Sequence, residues 1–246
     1  MVPGTTQFNL QEFDFAYPPG IENHYWQRGR NFLLMKAIRD AGLQNESILE
    51  IGCGKGHVVA TLRNNNISCW GAELADVASV DAAAAYVKSN MDAALMEVAF
   101  RNQITVLMFL DVIEHIEDPV LFLKGMLAPY PNVRHLIISV PARQEIWSSY
   151  DTFYRHFRRY DPGLLRQTVQ ALNFRIDNWF YFFHFLYWAA RLRSMFSGKR
   201  PVILHAPRGI HKFFHRMIAH LLIWESQALP RKSPGSSLLC VASKNI

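Results

Sequence analysis

Apolar residues fall in seven short runs along the 246-residue chain, and between several of them the apolar spacing widens to that of a helix. The runs cover residues 48–51, 68–74, 84–90, 104–110, 136–141, 174–182 and 238–242. The stretch Ile104 to Leu110 is interrupted only by Thr105, as expected of a strand covered on both faces. Helical spacing is clearest from Glu22 to Ala41, where Tyr25, Trp26, Phe32, Leu33, Met35 and Ile38 recur and Gly42 supplies a stop. Further helices are predicted at 58–62, at 164–172, over the very aromatic 183–195 and over 211–228. Such alternation predicts an α/β fold. Residues 1–20, with Pro3, Gly4, Pro18, Pro19 and Gly20, predict an irregular arm, and Gly198 to Gly209 a loop.

The first run ends in chemistry. Ile48-Leu49-Glu50-Ile51 leads into Gly52-Cys53-Gly54-Lys55-Gly56-His57 and then into the apolar start of a helix. Glycine there permits left-handed backbone and close approach to a ligand. A dinucleotide loop wants a third glycine where His57 stands; the pattern is instead Glu-x-Gly-x-Gly-x-Gly, beginning at Glu50. The second run ends in Glu73-Leu74, the acid lying 21 residues after Gly52. A carboxylate so placed can accept both hydroxyls of a ribose. The third run is followed by Met91-Asp92-Ala93, with Asn90 and Asp92 both candidates to meet an adenine. After the fourth run, a helix starting near Asp111 would put Asp111, Glu114 and His115 on one face.

Charge changes the picture of the second half. Residues 1–151 carry 11 Lys and Arg against 17 Asp and Glu, whereas residues 152–246 carry 15 against 3. An anionic partner is expected for that basic third: a phosphorylated substrate, nucleic acid or an acidic membrane surface. Cys53, Cys69 and Cys240 lie in apolar runs and are expected to be reduced core residues. Reduced cysteines, three in number and so not a disulfide framework, give the expectation of a cytoplasmic location, and no basic-then-apolar leader pattern opposes it. The aromatic run from Trp179 to Ala190 is too short to span a bilayer.

These motifs resemble those of class I S-adenosyl-L-methionine (SAM) methyltransferases. The resemblance is to bacterial members of the broad ubiquinone/menaquinone-type superfamily that carry a His-x-Arg-Arg-Tyr motif, here His156 to Tyr160. It rests on Asn23-His24-Tyr25-Trp26 with Arg28 and Arg30, on Glu50 to Gly56, on Leu110 to Pro119 and on Trp147 to Tyr160. It implies a doubly wound, seven-stranded, Rossmann-like sheet with the last strand antiparallel, an N-terminal helical arm and a helical C-terminal elaboration. The expected division is an arm at 1–21, a SAM-binding core at 22–173 and C-terminal strands and helices at 174–246 covering the acceptor site. SAM is the implied cofactor. Its implied contacts are Arg30 (favoured over Arg28), Glu50, Gly52, Cys53, Gly54, Gly56, Glu73, Leu74, Asp92 and Asp111.

SAM brings its own leaving group, so the protein's task is alignment, together with a base where the acceptor is a hydroxyl. His156 and His115 are the expected catalytic residues, Asp151 a candidate orienting partner, and Arg158 or Arg159 a partner for an anionic group on the acceptor. Asp111, Glu114, His115 and His156 also resemble the Glu-x-x-Glu-His cluster of small-RNA and ubiquinone-pathway O-methyltransferases, with Asp in place of the first Glu. No metal is assigned on that basis. The expected reaction is O-methylation of a small-molecule, lipid-linked or glycan acceptor, anionic in part, with peripheral membrane contact. An RNA 2′-O-methyltransferase is disfavoured because no added RNA-binding module is recognisable. A non-catalytic SAM-binding regulator is the other alternative.

Overall fold

The computed structural model describes residues 10–196 and 201–245, so Pro3, Gly4, Gly198 and Lys199 lie outside the described residues. Two helices, α1 (Leu10–Ala16) and α2 (Tyr25–Asp40), precede β1 (Ile48–Ile51). Next come α3 (His57–Arg63), β2 (Cys69–Ala72), β3 (Val87–Lys88) and α4 (Val98–Arg101). They are followed by β4 (Val106–Leu110), α5 (Pro119–Leu127) and β5 (His135–Pro141). The chain then forms α6 (Ser149–Phe153), α7 (Pro162–Gln170), β6 (Phe174–Phe182), α8 (His184–Phe196), α9 (His211–Ala228) and β7 (Ser237–Lys244).

The seven strands form one sheet in the order β3-β2-β1-β4-β5-β7-β6. The first five in this order are parallel, and β7 runs antiparallel between β5 and β6. Every residue of β1 and β4 is buried, because helices cover both faces. Alternate residues serve opposite layers. Leu49, Leu107, Phe109 and Leu136 pack with Leu123 of α5 and Leu165 of α7. Ile48, Val106, Met108 and Ile137 pack with Leu34 and Ile38 of α2, Val59 of α3 and Leu222 of α9. The expected doubly wound sheet is therefore present. Its chain order reverses between β1 and β4, and the loops leaving β1, β2, β4 and β5 gather at that crevice.

Helix α2 starts where His24 turns its ring back to accept the Trp26 N–H at 3.3 Å. Gly29 lets it approach the turn before α8; a Cβ there would stand 2.9 Å from the Phe183 ring. Cys53, Cys69 and Cys240 are free and buried, as core thiols.

Three expectations change. The arm is not wholly irregular: residues 10–16 form α1, since burying Phe13 against Ala75 and Val77 stabilises a turn that local propensity would not. The third strand shrinks from 84–90 to Val87–Lys88, because Ala84 and Ala85 offer no branched surface and Asp81–Ala83 coil into a 3-10 turn. No α-helix begins at Asp111, whose φ is +56°. The chain makes a 3-10 turn at Ile113–His115, and α5 starts only where Asp118 caps it by accepting the Leu121 N–H at 3.0 Å.

Candidate functional site

The cofactor side is built around the loop after β1. Gly52, Gly54 and Gly56 have φ of +75°, +55° and +76°, a conformation strained for any residue with a side chain. Space is restrictive too: a Cβ on Gly52 would lie 2.9 Å from Val112, and one on Gly56 2.7 Å from Val87. Glu73, one residue beyond β2, holds this loop. Its carboxylate accepts the Gly54 N–H at 2.9 Å and the Ala75 N–H at 3.0 Å. Burial raises its pKa despite these bonds. A carboxylate has about four acceptor sites, so two bonds leave capacity for a ligand's hydroxyls. Leu74 is half-buried beside it.

Glu50 sits beneath the loop, buried, with Oε2 lacking a partner among the described residues. Burial pushes its pKa up to about 8, against the opposing pull of Arg30. Arg30 is buried while Arg28 is exposed, which separates the two candidates. The Arg30 guanidinium donates to Asp111 Oδ2 at 2.7 Å and to Gln27 Oε1 at 2.6 Å, stacks 4.3 Å over Trp26, and keeps Nε unpartnered among the described residues. Cys53 turns its thiol toward Gly71, where a Cβ would meet Sγ at 2.5 Å, and its N–H is bonded to the Ala72 carbonyl. Asp92 caps the 3-10 turn Ala93–Leu95 by accepting the Ala94 N–H at 2.9 Å, and Asn90 is exposed.

A cavity of about 280 Å³ opens beyond Asp111. Its walls include Tyr17, Trp26, Asp111, Glu114, His115, Trp147, Tyr150 and His156, with α8 along one side. The His156 ring is nearly enclosed, and its Nδ1 lies 2.9 Å from Asp151 Oδ1. Asp151 is fully buried and also receives Arg159 Nε at 2.8 Å, Arg159 Nη2 at 3.1 Å and the Ser148 N–H at 2.9 Å. Burial alone would raise the Asp151 pKa; the hydrogen bond from His156 and the Arg159 charge hold it well below the usual range. A carboxylate can only accept, so Nδ1 of His156 carries a proton and Nε2 is the basic atom of the neutral ring.

His115 Nδ1 lies 2.9 Å from the Tyr154 carbonyl, and its ring stands edge-on to His156 at 4.6 Å. Burial, then the neighbouring His156, push its pKa down to about 3, so the ring is neutral. Glu114 is buried beside them with its pKa raised by burial and by Asp111, and its Oε2 has no partner among the described residues. One ligand atom each from Glu114, His115 and His156 lie within 4.8 Å of one another.

The fold thus brings Arg30, Glu50, Asp111 and the glycine loop together, and beside them Glu114, His115 and His156. Asp92 and Leu74 lie at its margin. Arg159 lines the cavity, with Nε, Nη1 and Nη2 all bonded internally, to Asp151 and the Ala142 carbonyl. Arg158 is turned to the Glu117 carbonyl at 2.6 Å. Two contributors escaped the sequence reading. Gln27 was signalled by its i, i+3 spacing to Arg30. Tyr17, whose ring would stand 3.0 Å from a Cβ on Gly54, carried no local signal.

These residues fit an adenosyl cofactor. The loop has no room for side chains, Glu73 retains acceptor capacity, and Arg30 and Glu50 hold buried unpartnered polar atoms. Comparison with known proteins agrees. Residues 21–178 match the family model of a methyltransferase domain. No curated protein matches the chain. Among solved structures, the methyltransferase domain of a bacterial Hen1 is similar at 9% identity and a TM-score of 0.54, over 89% of this chain and 98% of that one. A chain from a complex between a methyltransferase activator of Haloferax volcanii and a methyltransferase is similar at 12% identity and 0.57, over 96% and 97%. The [4+2]-cyclase SpnF is similar at 16% and 0.51, over 90% and 83%. At such identities the likeness is one of fold. The chain belongs to the methyltransferase-domain family, class I SAM-dependent methyltransferases built on a seven-stranded α/β sheet.

Proposed function

We infer that this enzyme methylates an oxygen of a small-molecule, lipid-linked or glycan acceptor that is anionic in part, and that it works in the cytoplasm. His156 at the cavity wall, with Asp151 buried behind it, carries this reading: the buried carboxylate fixes the ring tautomer that leaves a basic nitrogen beside the acceptor space. Gly52, Gly54, Gly56, Glu73 and Leu74 would hold the adenosyl part of SAM, with Asp92 or Asn90 toward the base. Arg30, Glu50 and Asp111 would hold its amino-acid part, and Cys53 would contribute backbone only. SAM supplies an electrophilic methyl group on a sulfonium. His156 takes the acceptor's proton at Nε2, and Asp151 stabilises the imidazolium that results. Trp26, Trp147 and Tyr150 give the cavity an aromatic wall, and its closure over SAM and acceptor would exclude water.

The test is transfer of labelled methyl from SAM into a fractionated lysate, with lipid, polysaccharide, RNA and protein pools separated. Label in the lipid or polysaccharide pool supports the reading. Label in RNA alone replaces it, and label nowhere points to a regulator.

A second reading is favoured by the clustering of Glu114, His115 and His156. A divalent cation held there would polarise an acceptor hydroxyl, and His156 would then be a ligand rather than a base. Chelation separates the two: lost transfer restored by a divalent cation supports the second, and unaffected transfer the first.

A further inference from the structure

The surface left over by this site is apolar and basic at once. Between Asn178 and Trp224 the chain has 47 residues without a single Asp or Glu, and seven that are Lys or Arg. Helix α8 presents Trp188, Leu192 and Met195 outward, 58%, 59% and 70% exposed, at i, i+4 and i+7. Helix α9 presents Phe214, Met217, Leu221 and Trp224, again one stripe, each about half exposed. The opposite side of α9 is satisfied by Ala219, Leu222 and Glu225, all buried. These outward stripes are therefore not core residues in want of a better register. The two helices touch where Glu225 of α9 accepts the Phe185 N–H at 2.7 Å. Arg191, Arg208, Lys212 and Arg216 are exposed, and none is ion-paired among the described residues.

We propose that the outward faces of α8 and α9 seat the protein on an anionic lipid surface. The chemistry distinguishes that occupant from others. Cations without intervening acids match an acidic surface and repel a second copy of the same face. The rings of Trp188, Phe214 and Trp224 are interleaved with leucine and methionine, which offer no stacking plane to a nucleic acid, and that mixture suits the headgroup–acyl boundary. No helix among the described residues is long and apolar enough to cross a membrane, so the helices lie on the surface. The placement has a use, which rests on the methyl-transfer reading above. The other side of α8 lines the acceptor cavity through Leu186, Ala189, Ala190 and Arg193, so an acceptor drawn from the lipid surface enters along the same helix.

The test is co-sedimentation with vesicles of phosphatidylcholine alone and of phosphatidylcholine with phosphatidylglycerol, at low and high salt, alongside calorimetry with SAM. The parent should bind the anionic vesicles at least tenfold more tightly than the neutral ones at low salt. Trp188→Asp and Trp224→Asp should each weaken that binding at least tenfold. The pair Lys212→Glu and Arg216→Glu should weaken it and flatten its salt dependence. All these variants should keep the parent's SAM affinity, since none of the residues faces the cofactor loop. Absent vesicle binding, equal binding to both vesicle types, or binding that the variants leave intact would overturn the proposal. So would a dimer dissociated by Trp224→Asp, or retention on single-stranded RNA in place of vesicles. Vesicle binding as expected by a parent that ignores SAM would keep the surface and remove the reading that gives it a use.

Discussion

Two carboxylates divide the work at the level of single residues. Glu73 spends two acceptor sites on the N–H groups of Gly54 and Ala75, so it holds the loop as well as facing the ligand. Glu73→Ala leaves both donors unpaired and should lower stability by about 1–3 kcal/mol, seen as a lower melting temperature, while weakening SAM binding in calorimetry. Unchanged melting together with unchanged affinity would remove Glu73 from the site. Asp151 serves His156 on one side and Arg159 on the other. His156→Ala leaves the Asp151–Arg159 pair in place; it should fold, bind SAM as the parent does, and transfer methyl roughly 10²–10⁴-fold more slowly. Asp151→Asn leaves a buried guanidinium uncompensated and should destabilise the fold by about 3–5 kcal/mol. The contrast matters: a His156→Ala enzyme that melts early but turns over normally per folded molecule would make the histidine structural.

Among elements, the junction of α8 and α9 makes its own prediction. Glu225, buried in α9, accepts the Phe185 N–H at the start of α8 through Oε2, and its Oε1 has no partner among the described residues. Burial pushes its pKa up from 4.5 to about 7. The folded chain thus holds a proton that the unfolded chain releases earlier, so this contribution to stability is complete below about 4.5 and is lost as pH rises through about 7. Glu225→Gln keeps an acceptor for α8 and cannot ionise. Its melting temperature should match the parent's near about pH 5 and exceed it by about pH 8, and a constant difference would refute the buried carboxyl. Elements such as β6 and α9 were legible in the sequence because their periodicity is local: both ends of Phe174–Phe182 and of His211–Ala228 follow from the apolar spacing. The glycine loop was legible because backbone conformation itself demands those residues. Neither α1 nor the left-handed turn at Asp111 was, since both are set by contacts distant in sequence. The site divides the same way. Glu114 and His115 meet His156 only because the loops after β4 and β5 converge, and the Asp151–Arg159 pair, eight residues apart, has no helical or strand spacing to announce it.

Over the whole molecule, the N-terminal arm ties together parts that the sheet alone leaves separate. Asp14 pairs with Lys55 of the glycine loop at 2.7 Å, and the Tyr17 carbonyl accepts the same lysine at 3.3 Å. Glu12 pairs with Arg155, one residue before His156, at 2.5 Å. The Phe15 carbonyl accepts the Leu204 N–H at 3.1 Å, and the Tyr154 hydroxyl bonds the Val202 carbonyl at 3.0 Å, so the loop before α9 joins the same knot. Each of these ion pairs keeps one partner exposed to solvent, and pairs of that kind contribute little singly, about 0–1 kcal/mol each. Their weight lies in geometry, because Tyr17 stands between the cofactor loop and the acceptor cavity and Phe13 anchors the strap in a small apolar cluster. The core beneath does not use them: β1, β4 and β5 are buried by α2, α3, α5 and α7. Deleting residues 1–17 should therefore leave the sheet folded by circular dichroism. Amide hydrogen exchange should rise in three separate segments, 52–57, 149–155 and 201–206, while β1, β4 and β5 stay protected. Binding of SAM should weaken, chiefly through faster dissociation, since the strap covers the loop rather than shaping it. Protection lost across the sheet would make the arm part of the core. Protection unchanged in all three segments would mean that each half of the site holds its shape alone, and that the arm merely lies across it.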